Sequence, residues 1–439
     1  MSVKHISKKN IKFLGVSSGA CAPFSRGKIG AEKGFKAIKE HYNKNVSRLF
    51  DKKNTQEIVS QKQLADYIVE HEADFFRDVA PRGMLVPSAS NERLYFPNTL
   101  KKYFEKNSKS IIRNLKSKSK KKKDPLKALD KFIKDHREAV QKTDKIHEKP
   151  TTLFARNIKY LTKVCEIIRD NVHVTLTNKK FPFVIAGDHS TAAGTIAGIK
   201  KFIGDKKLGV IWVDAHVDAH SPYSTPSGNM HGMPVGVALG LGITEGDPGP
   251  NQPDAEVVKD WRNLCSMHAI NAEKFKPMIT KEQLVFIGIR SWEGQEEKLL
   301  QDGVKHFKMT REKEDGIEAR KGEKYQHFNG ENDRRHLRNH TLQAVCEKTI
   351  QHLKKEGCDY LYVSFDIDSI DGNIVPGTGT PVSYGLGVDE AKFILKQIWT
   401  NTEVPLISME IVEINPSTDV DKKTVKVACE IIKSLVDNK

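Results

Sequence analysis

The sequence predicts one α/β domain built on a mostly parallel β-sheet. Short apolar runs alternate with helical segments along the chain, which is the pattern of strands joined by helices. Several of these runs end in aspartate and histidine. Polar groups at such positions lie at the carboxyl edge of a parallel sheet, where ligands of these folds bind. A chain of 439 residues is long enough to bury a large core around that sheet.

Six apolar runs of strand length are predicted to form the sheet. They are IKFLGV from Ile11, FVIAGDHS from Phe183, LGVIWVDAH from Leu208, LVFIGIR from Leu284, YLYVSFDID from Tyr360 and PLISMEI from Pro405. The segment from Leu208 to Val213 has no polar side chain, as expected of a parallel strand that is buried on both faces.

Helices are predicted between these runs, notably at Thr191–Phe202, Leu342–Lys355, Asp389–Trp399 and Lys422–Val436. Three stretches have the composition of insertions within a single domain spanning residues 1–439. They are a polar, Lys-rich stretch at about 40–150, a Gly/Pro-rich stretch at about 244–260 and a charged stretch at about 311–340.

The net charge of +16 is concentrated in one place. From Lys101 to Lys123 there are ten Lys and one Arg, with Glu105 as the only acidic residue. Such a run is typical of a solvated surface segment, and a polyanion-binding patch is the alternative. We therefore expect a small-molecule ligand and no nucleic-acid partner.

Composition also bounds the location of the protein. A hydrophobic content of 38% and a charged content of 29% are ordinary for a soluble globular protein. No run reaches the ~18 apolar residues of a membrane helix, and the N-terminus lacks the apolar core of a signal peptide. The six cysteines show no C-x-x-C spacing, so we predict reduced, structural thiols in a cytoplasmic protein that makes no membrane contact.

The stretch VIWVDAHVDAH predicts metal ligands. Side chains alternate along a strand, so Asp214, His216 and Asp218 share one face at its carboxyl end. Three unpaired polar groups that close together would repel or lose solvation unless a cation joins them. The alternative is that these residues form a solvated turn.

Two further strand ends favour the metal interpretation. FVIAGDHS carries Asp188 and His189 after its apolar run, and YVSFDIDSID carries Asp366 and Asp368 with the same alternation. Each pair alone could belong to an ordinary turn. Together the three strand ends supply two histidines and four aspartates, which suffice for two metals if two carboxylates bridge. The predicted ligands are His189, Asp214, His216, Asp218, Asp366 and Asp368.

The motifs GDHS, D-A-H-x-D, S-G-N-x-H-G, S-F-D-x-D-x-x-D, G-T-G-T-P and M-E-I-V-E-I-N-P occur in the order seen in arginases and related ureohydrolases. Apart from the insertions, the chain resembles this family from Ile11 to Val436. The resemblance implies a three-layer α/β sandwich of the arginase/deacetylase type, a homo-oligomer, and hydrolysis of a guanidino group to urea at two Mn²⁺ ions. It implies that His189, Asp214, Asp218 and Asp366 bind one ion, and His216, Asp214, Asp366 and Asp368 the other.

The resemblance also implies roles for residues around the metals. His231 would shuttle a proton to the leaving amine, a role suited to imidazole, although an ordinary loop histidine is the alternative. Ser227 and Asn229 would bind the α-carboxylate of arginine. Thr380 and Glu413 would line the guanidinium site.

The amino-acid end of this pocket departs from the family pattern. His220 stands where arginases have Asn, and Glu293, with Glu296 behind it, stands where Asp is usual. The motifs therefore support hydrolysis more strongly than they identify the substrate. L-arginine is the first hypothesis, and the others are agmatine or guanidinobutyrate as substrate and a non-catalytic binding protein. A single-zinc deacetylase is disfavoured by His189 and Asp368, and Mn²⁺ follows from the resemblance because the spacing also suits zinc, cobalt or nickel.

Overall fold

The computed structural model describes residues 6, 10–18, 31–47, 49–51, 53–60, 154–243, 249–269, 274–311, 335–336 and 341–437. The strands in this part of the chain are β1 (Ile11–Val16), β2 (Thr55–Val59), β3 (Phe181–Ile185), β4 (Leu208–Val213), β5 (Leu284–Ile289), β6 (Lys305–Lys308), β7 (Thr310–Arg311), β8 (Arg335–His336), β9 (Tyr360–Asp366) and β10 (Leu406–Val412). Eight of them form one sheet in the order β2-β1-β3-β10-β9-β4-β5-β6. Every neighbouring pair in it is parallel, which confirms the predicted fold class.

The helices connect the strands and cover both faces of the sheet. In the described residues they are α1 (Gly34–Asn45), α2 (Ile158–Thr177), α3 (Ala192–Ile203), α4 (Pro234–Leu239), α5 (Ala255–Ser266), α6 (Gly294–Gln301), α7 (Leu342–Lys355), α8 (Val388–Thr400) and α9 (Lys423–Val436). The four helices predicted from the sequence correspond to α3, α7, α8 and α9, within about one residue at each end.

Two hydrophobic cores lie on opposite faces of the sheet. Leu14 and Val16 of β1 point into the core that α2, α3, α4 and α5 cover. Ile11 and Phe13 of the same strand point into the core under α1, α7, α8 and α9. This alternation is the period-2 geometry of a strand buried on both sides. The result is the predicted sandwich of helices, sheet and helices.

The sheet extends beyond the six predicted strands. β2 pairs with β1 and β6 pairs with β5, so each forms one edge of the sheet. β2 lies within the stretch predicted to be inserted at about residues 40–150 and pairs with β1 in the main sheet. The bounds of that insertion stay a prediction. The sequence TQEIV was not predicted to form a strand. It contains polar residues because an edge strand exposes part of its surface.

The second predicted insertion, at about 244–260, also contains core structure. Helix α5 begins within it, and Trp261 and Leu264 of that helix are buried against α2 and α4. In the third stretch, at about 311–340, β7 and β8 form a short antiparallel pair.

The Lys-rich segment from Lys101 to Lys123 lies outside the described residues. The single-domain organisation stays a prediction.

Two further predictions concern helices and thiols. No helix in the described part of the chain combines the length and apolar character needed to cross a membrane. The described cysteines are buried and free of disulfide bonds, as predicted; they are Cys165, Cys265, Cys346, Cys358 and Cys429. Cys21 lies outside the described residues.

Candidate metal and substrate site

The residues predicted to bind metal lie at one edge of the sheet. They lie at or just after the carboxyl ends of β3, β4 and β9. These three strands and β10 are adjacent in the sheet. Because the strands are parallel, their carboxyl ends meet at this edge, and residues far apart in sequence become neighbours. Glu413 enters the same cluster directly after the last residue of β10.

His189 faces three buried carboxylates. Its Nδ1 lies 3.0 Å from Asp214 Oδ2, 3.1 Å from Asp218 Oδ2 and 3.1 Å from Asp366 Oδ2. These are the four side chains that the resemblance assigns to one metal ion. The structure therefore brings this predicted set together.

A second group forms around His216. Its Nδ1 lies 3.2 Å from Asp368 Oδ2 and 3.5 Å from Asp214 Oδ1. Asp214 thus presents one carboxylate oxygen to His189 and the other to His216. Asp214 Oδ1 also accepts the backbone N–H of His216 at 2.7 Å, and Asp366 Oδ1 accepts the backbone N–H of Asp368 at 2.7 Å in the same way.

The buried aspartates of the cluster place several negative charges close together, an arrangement that a bound cation stabilises. Burial, reinforced by Asp368 and Asp214, raises the pKa of Asp366 well above its usual range. Burial and the neighbouring Asp214 raise the pKa of Asp218 to about 6. Carboxylates this close and this dry repel one another when ionised, and positive charge between them removes that cost.

The donor atoms fit a divalent-metal centre. His189 Nδ1 and Asp214 Oδ2 are buried and have no hydrogen-bond partner among the described residues, although they lie only 3.0 Å apart. Atoms of His189, Asp214 and Asp218 lie within 4.8 Å of one another, as do atoms of Asp214, His216 and Asp368. The set contains nitrogen and oxygen but no sulfur, a choice that suits manganese among other divalent metals.

The other side of His189 is held by residues that the sequence analysis missed. His189 Nε2 lies 2.8 Å from Ser364 Oγ, and Ser364 donates to Glu410 Oε1 at 2.8 Å. Thr195 donates to the second oxygen of Glu410 at 2.7 Å. The Trp212 ring stacks on the imidazole with centroids 4.1 Å apart and planes 8° apart. These contacts orient the ring so that Nδ1 faces the carboxylates.

Glu413 connects a predicted metal ligand to the predicted proton shuttle. Its Oε1 accepts the backbone N–H of His189 at 2.8 Å and lies 3.5 Å from His231 Nδ1. Its Oε2 is buried and has no hydrogen-bond partner among the described residues. Glu413 has a left-handed backbone with φ of 63°, as does Asp218 with φ of 53°, and such conformations cost about 1–3 kcal/mol each and concentrate at functional sites.

His231 and Thr380 border the metal cluster from different loops. His231 lies in the short 3-10 turn Met230–Gly232, and although burial opposes its charging, the Glu413 carboxylate raises its pKa. Thr380 Oγ1 donates to Asp368 Oδ2 at 3.3 Å. Both predicted residues are thus brought to the site.

Ser227 and Asn229 lie in a tight loop between the metal residues of β4 and His231. Asn229 N–H donates to Ser227 Oγ at 3.2 Å. Thr225, which is buried and which the sequence analysis missed, accepts the N–H groups of Ser227 at 3.2 Å and Gly228 at 2.9 Å. The short polar side chains of the loop are thereby held in one backbone conformation.

His220 lies beside the two glutamates predicted at the amino-acid end of the pocket. Its Nε2 is 3.5 Å from Glu296 Oε2 and 3.7 Å from Glu293 Oε2. Glu296 is buried, accepts the N–H groups of Ala219 at 3.0 Å and Glu293 at 2.9 Å, and its pKa is raised by burial to about 7. The Glu293 side chain is 59% exposed and is therefore the more accessible carboxylate.

Arg290 stabilises the loop that follows β9 and carries Asp368. The sequence analysis did not identify it. It follows β5, is buried, and donates to the carbonyl oxygens of Asp368 at 2.6 Å, Ser369 at 3.2 Å and Val382 at 2.9 Å. The signal in the sequence is a charged residue that ends the apolar run LVFIGI. A buried guanidinium that donates to several carbonyls holds their loops in fixed relative positions.

Comparison with known proteins supports the resemblance. A model of the arginase family matches residues 131–337 and 331–437. The arginase of Bacillus subtilis (strain 168) is 32% identical over 299 residues, which cover 68% of this chain and 80% of that protein. Among solved structures, native Bacillus caldovelox arginase has a TM-score of 0.57 at 23% identity and covers 98% of both chains. The Entamoeba histolytica arginase complex with L-ornithine has a TM-score of 0.59 at 22% identity and covers 97% of both chains. The alignments with both solved structures cover nearly the whole chain.

Proposed function

The chain belongs to the arginase family, and from this premise we propose that it hydrolyses L-arginine to L-ornithine and urea at two Mn²⁺ ions. Membership makes the protein an arginase-like hydrolase of C–N bonds. The proposal adds the substrate, the metal, the roles of individual residues and a cytoplasmic location.

The observation that carries the proposal is the placement of Asp214 between two histidines. One of its oxygens lies 3.0 Å from His189 Nδ1 and the other 3.5 Å from His216 Nδ1. A carboxylate shared in this way suits two metal ions side by side. The residues proposed to hold the ions are His189, Asp214, Asp218 and Asp366 for one, and His216, Asp214, Asp366 and Asp368 for the other.

The reaction needs strong activation because guanidinium is a poor electrophile. Its positive charge is delocalised over three nitrogens, and attack at carbon ends that delocalisation. When bound, the metal ions would supply Lewis-acid activation of water near neutral pH. The remaining tasks fall to the protein, which must hold the guanidinium plane and supply a proton to the leaving nitrogen.

Glu413 is suited to hold the guanidinium group. Its Oε1 is fixed by the His189 N–H, and its buried Oε2 has no hydrogen-bond partner among the described residues. A carboxylate oxygen in that state can accept a charge-assisted hydrogen bond from a guanidinium N–H. Thr380, next to Asp368, would line the other side of this subsite.

His231 is suited to protonate the leaving amine. When the bond between the guanidino carbon and the side-chain nitrogen of arginine breaks, that nitrogen leaves with an electron pair and takes a proton. The Glu413 carboxylate, 3.5 Å from His231 Nδ1, stabilises the protonated imidazole near neutral pH.

The amino-acid end supports L-arginine as the substrate. Ser227 and Asn229 offer short polar groups for an α-carboxylate, and Glu293 offers an exposed anion for an α-ammonium. A site built for a carboxylate rejects an analogue without one, because its own polar groups are left unpaired. We therefore expect L-arginine to exceed agmatine, its decarboxylated analogue, by at least ~100-fold in kcat/KM.

One observation favours a second substrate class within the family. His220 Nε2 lies 3.5 Å from Glu296 and 3.7 Å from Glu293, so these carboxylates already have a basic neighbour where the α-ammonium of arginine would bind. A guanidino acid without an α-amino group, such as 4-guanidinobutyrate, would not compete with that imidazole. It is the alternative substrate.

The experiment is urea release from L-arginine, agmatine and 4-guanidinobutyrate with added Mn²⁺. L-arginine should be hydrolysed fastest, with L-ornithine formed in equal amount. Asp366→Asn should abolish urea release, whereas Asp389→Asn, on the exposed start of α8, should not change it. Faster release from either analogue would reject the proposed substrate, and no release from any would reject hydrolysis.

A further inference from the structure

The loop that carries Ser227 and Asn229 is anchored by a residue that precedes α2. The backbone N–H of Arg156 donates to Gly228 O at 2.8 Å, and its side-chain Nε donates to Ser227 O at 3.0 Å. Arg156 thus holds the carbonyls of two consecutive residues, Ser227 and Gly228.

A second anchor comes from the Gly/Pro-rich stretch before α5. Asn251 Nδ2 donates to Thr225 O at 2.7 Å and to Pro222 O at 3.1 Å, and Asn251 N–H donates to Tyr223 O at 2.9 Å. The two chain segments touch at Gly249, where a Cβ would lie 2.1 Å from Tyr223 O. Only glycine permits this approach without a shift of one backbone.

The two anchors act on one continuous piece of backbone. Asn251 holds it from Pro222 to Thr225, and Arg156 holds it at Ser227 and Gly228. Thr225 joins the two halves, because it accepts the N–H groups of Ser227 and Gly228. A change at either anchor can therefore move Ser227 and Asn229 while the metal residues, held by other contacts, stay in place.

We propose that Arg156 and Asn251 are positioning residues that set the recognition of the substrate carboxylate by fixing this loop. The proposal rests on the proposed function, since it takes the loop to bind a carboxylate. It gives the Gly/Pro-rich stretch a role in substrate selection. Loss of an anchor should weaken binding of a substrate that has an α-carboxylate and leave binding of one without it unchanged.

The test compares Arg156→Met and Asn251→Ala with matched controls on α5, Arg262→Met and Asn263→Ala, whose parent side chains are solvent-exposed. In the Mn²⁺-loaded protein, each anchor variant should raise KM for L-arginine about tenfold, the range of a lost hydrogen bond to a charged group, with kcat within about twofold. For agmatine, kcat/KM should not change. The control variants should behave as wild type with both substrates.

A binding measurement separates positioning from catalysis. Calorimetric titration with L-ornithine should show the same tenfold loss in both anchor variants, whereas putrescine, which lacks the carboxylate, should bind as to wild type. If Arg156→Met does not fold, Arg156→Lys and Gly249→Ala replace it, since the latter forces the two segments apart.

Three results would overturn the proposal. If the anchor variants match the controls while wild type hydrolyses L-arginine, the anchors do not set recognition, and the proposed function stands. If the anchor variants have an equally lowered kcat for L-arginine and agmatine, Arg156 and Asn251 contribute to stability and not to recognition of the carboxylate. If wild-type protein releases no urea and binds L-ornithine no better than putrescine, the proposed function fails as well.

Discussion

The Glu413 carboxylate and the His231 imidazole face each other, with Oε1 3.5 Å from Nδ1. The same oxygen accepts the backbone N–H of His189, a predicted metal ligand. Glu413 therefore connects the metal cluster to the loop that carries His231. His231 itself makes no ion pair with the clustered aspartates in the described part of the chain. Its removal should therefore separate proton transfer from metal binding.

We predict that His231→Ala lowers kcat for urea release by about 100- to 10,000-fold, the usual contribution of a general acid or base. Bound metal, measured by atomic-emission spectrometry, should stay at the wild-type level. His352→Ala is the control, because it removes a histidine from the last turn of α7, where its Nε2 lies 2.9 Å from the carbonyl oxygen of Glu282. A wild-type kcat at neutral pH would exclude His231 from proton transfer.

The double contact of Asp214 leads to a prediction about stoichiometry. Since each of its oxygens faces a different histidine, Asp214→Ala should reduce bound metal from two ions per chain to one or none. The measurement is metal content after dialysis against buffer, beside Asp389→Ala as an exposed control. One ion in the wild-type protein, or two in Asp214→Ala, would be incompatible with a bridging carboxylate.

Ser364 offers a test of how His189 is held. Ser364→Ala removes the group that fixes His189 Nε2, so metal affinity should fall by about 10- to 100-fold. Ser408→Ala is a matched control, because Ser408 is equally buried in β10 but donates to Pro182 O at 2.9 Å. Competition with a metal indicator gives the affinity. Equal affinities in the two variants would mean that Trp212 stacking alone orients the ring.

The central strands could be predicted from the sequence, and the edge strands could not. β4 and β9 are buried throughout, so apolar residues dominate their sequences. β2 reads TQEIV and β6 reads KHFK, because each pairs on one side and exposes part of its surface. Charged edge strands are common in sheets, and they look like loops in a sequence.

The site divides in a similar way. The aspartates and histidines at the strand ends stand out because they interrupt apolar runs, whereas Ser364 and Glu410 look like single polar residues inside strands. Their relationship depends on the register that pairs Ser364 with Glu410 on one side and with Trp212 on the other. Sheet order sets that register, and one sequence does not reveal the order. The anchors Arg156 and Asn251 are hidden because each reaches the loop from a part of the chain distant in sequence.

His220 is one of two positions, with Glu293, at which the sequence departs from the pattern of the family it resembles. The imidazole lies against Glu296, which is buried, and near Glu293, whose side chain is 59% exposed. An ion pair with an exposed carboxylate is worth at most about 1 kcal/mol, which corresponds to about fivefold in affinity. The imidazole can therefore modulate binding of an α-ammonium group at Glu293 without preventing it.

We predict that His220→Asn lowers KM for L-arginine by up to about fivefold and leaves kcat unchanged, because the amide frees Glu293 for the α-ammonium without adding charge. For 4-guanidinobutyrate, which has no α-amino group, KM should not change. Glu293→Gln should act in the opposite direction, raising KM for L-arginine alone. Initial-rate kinetics on both substrates decide the matter. If His220→Asn raises KM for both compounds, His220 contacts a part that the two substrates share, and its assignment to the amino end is wrong.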